Sequence, residues 1–389
     1  MNTETMSRQA FIRQSVGAGM AALLAPLAVE AAAENKRIKV AVIGCGSVSG
    51  MYFPHLSKSP HVELVSACDI IAERAKTAAS KYKIPNHYSH IDQLLAGAPF
   101  DLLVNLTNMQ EHGRLNKLAL NAKRNVWSEK PMANTYTEGR ALLDLAKSKN
   151  LRIWGAPAVV NSPQFAFMAK AINDGTIGKV AAAHAHYGHS GPSWSAFFYE
   201  VGGGSLPDLG VYNLATLTGL LGPAKSIVAM TSIVTPTRKT DDKGEIKVAA
   251  EDNAMVLMEH ANGALSHVQC GFNYYDPYGH EGVGQEKPTI SVVGTRGSMH
   301  LIGYDWKPFG VDMATIDDEK GNRYAIESGS YVWEQGASVI AESMATAQEP
   351  LIAAEHALHV LEIIEAARKS QATGQRVKLV STFKWPVVV

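Results

Sequence analysis

The sequence predicts an α/β protein of two domains: an N-terminal Rossmann dinucleotide-binding domain and a C-terminal α/β domain with an open, mostly antiparallel sheet. Three observations predict it. Short β-branched runs alternate with helical segments over the first part of the chain. The run RIKVAVI is followed at once by the glycine-rich loop GCGSVSG. After about Pro157 the pattern changes to short alternating stretches separated by Asn-Gly and Arg-Gly turns. The first pattern builds a doubly wound sheet, the last a sheet of hairpins.

With 389 residues the chain is long enough for two hydrophobic cores. Its 36 basic and 36 acidic residues balance, so no net field draws it to nucleic acid or to an anionic membrane. Cys45, Cys68 and Cys270 are too few and too scattered for a disulfide framework or a zinc site, and no metal is expected.

Residues 1–33 read as an export signal. Arg8 and Arg13 flank Phe11 and Ile12, an apolar stretch runs from Val16 to Val29, and Ala31 to Ala33 supply the small residues a signal peptidase needs. The stretch Ser7-Arg8-Gln9-Ala10-Phe11-Ile12-Arg13 resembles the twin-arginine export motif, with Gln9 where the second arginine belongs. A general secretory signal and an uncleaved amphipathic helix are the alternatives. The expectation is an exported, periplasmic protein. It needs no membrane after signal removal, since no later run approaches the roughly 20 apolar residues that span a bilayer.

The Rossmann domain is expected over residues 36–157. Arg37 to Ile43 suits a strand buried on both faces, HVELVSACD a second strand ending on Asp69, and IAERAKTAASKY a helix. FDLLVNLTN and RNVWSEK follow as strands about a helix from Arg114 to Ala122, and LRIWGAPAV as another strand. Residues 158–389 are expected to form the second domain. The helix SPQFAFMAKAINDG leads to strands in KVAAAHAHYG, AKSIVAMTSIV, DNAMVLMEHANGALSHVQCGF, TISVVGTRGSMHLIG and NRYAIES, and a closing helix runs from Pro350 to Gly374.

The loop Gly44-Cys45-Gly46-Ser47-Val48-Ser49-Gly50 is GxGxxxG rather than GxGxxG, and its place between strand and helix is what gives it meaning. The first glycines turn tightly and admit a pyrophosphate, while the helix N-terminus offers N–H groups and partial positive charge. Asp69, at the end of the next strand, is placed to accept from both adenosine ribose hydroxyls. A 2'-phosphate there would meet like charge, so NAD is preferred over NADP; Arg74, which could swing to a phosphate, argues the other way.

Glu129 and Lys130 end a later strand at the edge where such sheets bind ligands, and Pro131 biases Lys130 away from helical geometry. In GGGSLPDLGVYNLATLTGLLGP, Ser205 is expected to cap a helix, Pro207 to occupy its first turn and Gly222-Pro223 to end it. Asp208 and Tyr212 are four apart and so share a face, with Gly202 to Gly204 leaving the approach open.

The loop GCGSVSG, the stretches NLTNMQEHGRLNKLALNAKRNVWSEKPMA and GGGSLPDLGVYN, and the closing helix with GQRV together resemble the Gfo/Idh/MocA oxidoreductase family over nearly the whole chain after the signal. The resemblance implies that Glu129 and Lys130 border a nicotinamide lying between the domains. It further implies that Asn105, Thr107 and His112 follow the cofactor and that Asp208 points at the substrate. Where the family often has His, this chain has Tyr212, as in the glucose-fructose oxidoreductase branch; the family's usual Arg after the last Rossmann strand has no clear match in GAPAVVNSP.

The chemistry implied is hydride transfer between a carbohydrate C–H and a nicotinamide. Tyr212 is expected as acid-base group, Lys130 to lower its pKa and polarise the oxygen, and Asp208 to orient the hydroxyl. His184 and His186 share a strand face while His189 points away, so three ligands do not converge on a metal. His186 and Trp194 are instead expected to line a sugar cleft. An exported enzyme cannot rely on exchanging NADH, which favours a cofactor that stays bound while one sugar is oxidised and another reduced. Two alternatives are an NAD-dependent glycosidase acting by transient C3 oxidation and elimination, and a non-catalytic sugar or nucleotide sensor. The open sheet suits a homo-oligomer, a face-to-face dimer or tetramer.

Overall fold

The computed structural model describes residues 3–4, 37–275, 287–324 and 331–388. Apart from residues 3 and 4, the segment read as an export signal lies outside the described residues.

The first sheet holds β1 (Ile38–Ile43), β2 (Val62–Cys68), β3 (Asn86–Tyr88), β4 (Leu102–Asn105), β5 (Asn125–Ser128) and β6 (Ile153–Gly155). All are parallel, in the order β3-β2-β1-β4-β5-β6. Helices α1 (Ser49–Leu56), α2 (Ala72–Tyr82), α3 (Ile91–Ala96), α4 (His112–Asn121) and α5 (Tyr136–Ser148) connect these strands. Covered on both faces, the central strands bury Val40, Val42, Leu102, Leu103 and Val104 completely, which is why they read as unbroken apolar runs. Strand order reverses between β1 and β4, and there the carboxyl ends of the strands open a crevice.

Helix α6 (Pro163–Asn173) is capped by Ser162, whose hydroxyl accepts from the Phe165 N–H at 3.0 Å. It leads into β7 (Val180–Gly188) and then helix α7 (Val211–Leu221). There follow β8 (Ala224–Ser232), a separate hairpin of β9 (Thr237–Thr240) and β10 (Gly244–Lys247), β11 (Asn253–His260), β12 (Leu265–Gly271) and β13 (Pro288–Gly294). Next come β14 (Gly297–Tyr304), β15 (Lys307–Thr315), β16 (Asp318–Tyr324), α8 (Gly336–Thr346), α9 (Ala354–Thr373) and the short β17 (Val377–Lys378). The second sheet runs β16-β15-β14-β13-β7-β12-β11-β8-β17, with Thr3–Glu4 along the edge of β16. Its strands pair antiparallel except β7 with β12 and Thr3–Glu4 with β16. One face is covered by helices, among them α7, every residue of which is buried. The other face exposes Val228, Met230, Met255, Leu257 and Leu265.

Three local expectations need correction. Ser205 does not cap a helix: the chain enters α7 through a widened π turn, Leu206–Gly210, and the Ser205 hydroxyl meets the Cys270 thiol instead. The closing helix starts at Ala354 rather than Pro350, although Gly374, at φ +66°, ends it as expected. The glycines at 202–204 do not hold an approach open. A side chain at Gly203 would meet the Phe197 and Phe198 carbonyls at 2.5 Å, and one at Gly204 would run into the Glu251 carboxylate. The closing helix also crosses back to the first half. It packs on α5 and β6, and Leu358 and Leu361 sit in one buried cluster with Leu103, Val126 and Leu142.

Candidate active site

The loop after β1 is built for close approach. Gly44 has φ +89°, and a Cβ there would lie 2.5 Å from the Leu106 carbonyl oxygen, so this position takes only glycine. Gly50 faces open space. Helix α1 follows without a side-chain cap or an acid in its first turn, so its first N–H groups and positive end face the loop carrying Gly46, Ser47 and Val48. Asp69, only 7 % exposed, accepts from the Cys45 N–H and from the Ile71 N–H, each at 2.8 Å. It thus ties the glycine loop to the end of β2 and fixes a carboxylate at the rim. Arg74 stands over the loop, its Nη1 3.8 Å from where a Gly46 Cβ would be. This cradle fits a dinucleotide pyrophosphate with its ribose at Asp69.

Beyond β4 the expected cofactor residues separate into two kinds. Thr107 is partly exposed. Asn105 and His112 are interior: Asn105 donates to the Asn116 Oδ1 at 2.8 Å and accepts from the Thr107 hydroxyl at 2.8 Å. Asn116 in turn donates to the Ser128 hydroxyl and the Met132 carbonyl, both at 2.9 Å. The His112 ring nitrogens meet the Pro131 carbonyl at 2.7 Å and the Thr107 carbonyl at 2.9 Å. Burial lowers the His112 pKa, the two carbonyls opposing it. These side chains hold the Thr107 and Pro131 segments in place.

Glu129 is buried with both oxygens engaged: the Tyr52 hydroxyl donates to one at 2.6 Å and the Lys130 N–H to the other at 2.9 Å. The Trp127 indole N–H donates to the Tyr52 hydroxyl at 3.2 Å. Lys130 reaches across to the second half, where its ammonium donates to the Asp208 carboxylate at 2.6 Å and to the Asp208 carbonyl at 2.8 Å. Both side chains are largely enclosed, 11 % and 12 % exposed, so this ion pair is weakly screened. Asp208 lies in the π turn, and its backbone carbonyl accepts from the same ammonium as its carboxylate.

Tyr212 does not behave as the sequence suggests. The Lys130 ammonium lies 5.2 Å from the centre of its ring, and the phenol pKa is pushed well above 10 by burial, with Glu129, Tyr187, Asp208 and Glu334 adding to the rise. Lys130 is committed to Asp208, so Tyr212 remains a neutral phenol.

Sequence reasoning missed the aromatic wall around it. The Tyr187 ring lies 6.2 Å from Tyr212 and 4.8 Å from Tyr304, Tyr304 stacks on Trp306 at 5.3 Å, and Trp333 is 6.0 Å from Tyr212. Because Tyr187 faces this wall, strand alternation sends His186 to the opposite face of the sheet. The expectation that His186 lines the cleft is therefore corrected. His184 shares that far face, 6.1 Å from His267, while His189 lies past the strand end and accepts from the Gly191 N–H at 2.9 Å. Trp194, 46 % exposed, packs on Phe197 and Phe198 in a loop held to the first half by the Gln110 amide donating to the Phe197 carbonyl at 2.8 Å.

Comparison with known proteins bears on what this arrangement does. Residues 38–156 match the family described as "Oxidoreductase family, NAD-binding Rossmann fold", and residues 165–300 match the "GFO/IDH/MocA C-terminal domain". A D-apiose dehydrogenase from Paraburkholderia graminis is 26 % identical, over 89 % of this chain and 91 % of its own. Among solved structures, an aldose-aldose oxidoreductase from Caulobacter crescentus complexed with glycerol superposes with a TM-score of 0.75 at 20 % identity, covering 88 % of this chain and 100 % of that one. A levoglucosan dehydrogenase in complex with NADH and L-sorbose does so at 0.76 and 19 % identity, covering 89 % and 100 %.

Proposed function

The chain belongs to the Gfo/Idh/MocA family of NAD-binding oxidoreductases, and from that premise we propose that it transfers hydride between a carbohydrate C–H and a nicotinamide held between its two halves. The observation that carries this reading is the Lys130 to Asp208 bridge at 2.6 Å, a pair formed across the cleft, at the carboxyl end of β5, with a neutral phenol beside it. The sugar substrates in the names of similar proteins support it.

The nicotinamide, when bound, takes up or returns the hydride. The chain's residues handle the proton and the position of the oxygen. Asp208 receives the proton of the hydroxyl being oxidised, while the Lys130 ammonium steadies the negative charge that grows on that oxygen. Tyr212, kept protonated, donates a hydrogen bond that orients the substrate. Buried Glu129, locked by Tyr52, fixes where Lys130 begins. The Asp69 carboxylate at the loop rim supports NAD over NADP.

The signal-like N-terminal sequence favours export to the periplasm with the cofactor already bound, and hence sugar-to-sugar hydride exchange on one retained NAD. The exposed apolar face of the second sheet favours a homo-oligomer. Denaturing the purified protein and counting released nucleotide tests retention. About one NAD per chain, with turnover only when an oxidisable and a reducible sugar are both present, is the expected result. Empty protein that forms NADH from one sugar would replace this reading with an exchanging dehydrogenase.

A further inference from the structure

The stretch leading into α8 and the turn after β14 hold a group of buried polar atoms with no partner: both carboxyl oxygens of Glu334, the Tyr331 hydroxyl and Oδ1 of Asp305. Glu334 is 1 % exposed and Asp305 2 %. Their neighbours place them. Trp333 stands 6.0 Å from Tyr212 and 5.8 Å from Trp306, so the segment from Tyr331 to Gln335 backs the aromatic wall of the active site. One residue on, Gly336 lies flat against the Trp127 indole with no room for a Cβ, which brings Glu334 to the end of β5 beside Glu129. No hydrogen bond joins the two carboxyls: the Glu129 oxygens take the Tyr52 hydroxyl and the Lys130 N–H.

A carboxyl with no partner in the interior costs far more than an apolar side chain of the same size, and such orphans persist where a ligand completes them. Burial, with Glu129 adjacent, pushes the Glu334 carboxyl up to about 9, so at neutral pH it keeps its proton and presents one O–H and one C=O. Tyr331 likewise stays protonated and donates. Asp305 accepts: its other oxygen already takes the Asn213 amide at 3.0 Å and the Thr216 hydroxyl at 2.9 Å. Neighbouring hydroxyls, each of which gives and receives, match this alternation of donor and acceptor, and the rings of Trp306 and Trp333 cover a C–H face. A carboxylate or phosphate there would meet the buried acids Glu129 and Asp305.

We propose that Glu334, with Tyr331 and Asp305, forms a subsite for a neutral polyhydroxylated ligand and rejects anionic ones. It rests on the sugar oxidoreductase reading above and narrows its substrate class. The test titrates the purified full-length protein, with NAD, against a panel of neutral aldoses and alditols, each paired with its uronate or aldonate, following both tryptophan fluorescence and turnover. At least one neutral member should bind about tenfold or more tightly than its anionic partner. Glu334→Gln, which keeps a donor and an acceptor, should hold that affinity within about threefold. Glu334→Leu should lose it about tenfold or more while its melting temperature rises, a combination that a merely structural carboxyl would not give. Unchanged binding in Glu334→Leu, or a lowered melting temperature with binding intact, overturns the proposal. Preferred turnover of an anionic sugar overturns it too, yet leaves the oxidoreductase reading standing; if the NAD-loaded protein turns over no member of the panel, both fall.

Discussion

Two groups of buried polar side chains around the cleft are treated in opposite ways. On the first half, Asn105, Asn116, Ser128, His112 and Glu129 are buried and satisfied by one another and by backbone, so the surface offered to the cofactor is settled before anything binds. On the second half Glu334, Tyr331 and Asp305 are left with unmet hydrogen bonds. The difference teaches where specificity resides. A group complete in itself holds one unvarying partner, whereas a group with open valences is finished only by the molecule it selects. Lys130 and Asp208 are where the two halves join.

The comparison breaks most severely at that junction. Lys130→Met and Asp208→Asn should each lower turnover about 10³-fold with NAD affinity nearly unchanged, while Tyr212→Phe, which loses only an orienting donor, should cost about tenfold. Steady-state kinetics beside equilibrium NAD binding would check this, and a larger loss in Tyr212→Phe would return the acid-base role to the phenol.

A smaller effect is expected from the satisfied group. Asn116→Leu removes the partner of the Asn105 amide and of the Met132 carbonyl, and should destabilise the fold by about 2–3 kcal/mol in urea unfolding. NAD affinity should fall with it, since Asn105 holds Thr107.

The smallest effect sharpens the contrast through pH. The Glu334 carboxyl titrates near 9 in the fold and in the usual carboxylate range when unfolded, so between these values the native state binds the extra proton. Stability is then full below the unfolded value and is lost as pH rises toward about 9. Cys45, Cys68 and Cys270, whose thiols burial keeps protonated in the fold while the unfolded chain titrates them at about 8.5, add to the decline between pH 7 and 9, so the difference between wild type and Glu334→Gln is what isolates Glu334. Unfolding free energy should decline across that interval in the wild type and run flatter in Glu334→Gln.

Legibility in the sequence followed the same division. Gly44, Asp69, Glu129 and Lys130 could be read because each is fixed by its place at the end of a parallel strand, where fold and ligand site coincide. Asp208 and Tyr212 could be found as a pair, but the π turn between them and the raised phenol pKa come from burial that spacing does not encode. Tyr187, Tyr304, Trp306 and Trp333 come from separate segments and converge only when the second sheet and the approach to α8 assemble. Glu334 lay in a stretch with no periodic pattern, and its meaning depends on Gly336 resting on Trp127, a contact across more than two hundred positions. His186 was misplaced because alternation fixes which residues share a face but not which face turns to the cleft.

The closing helix imposes an order on biosynthesis. Leu358 and Leu361, from α9, are part of the packing that covers the outer strands of the first sheet. Until α9 has been made, the nucleotide half stands with that apolar surface bare, open to chaperones and to misassembly. Docking of the closing helix is therefore the step that completes the half translated first. A chain cut short of that helix, however complete its first sheet, would leave Leu103, Val126 and Leu142 without their cover.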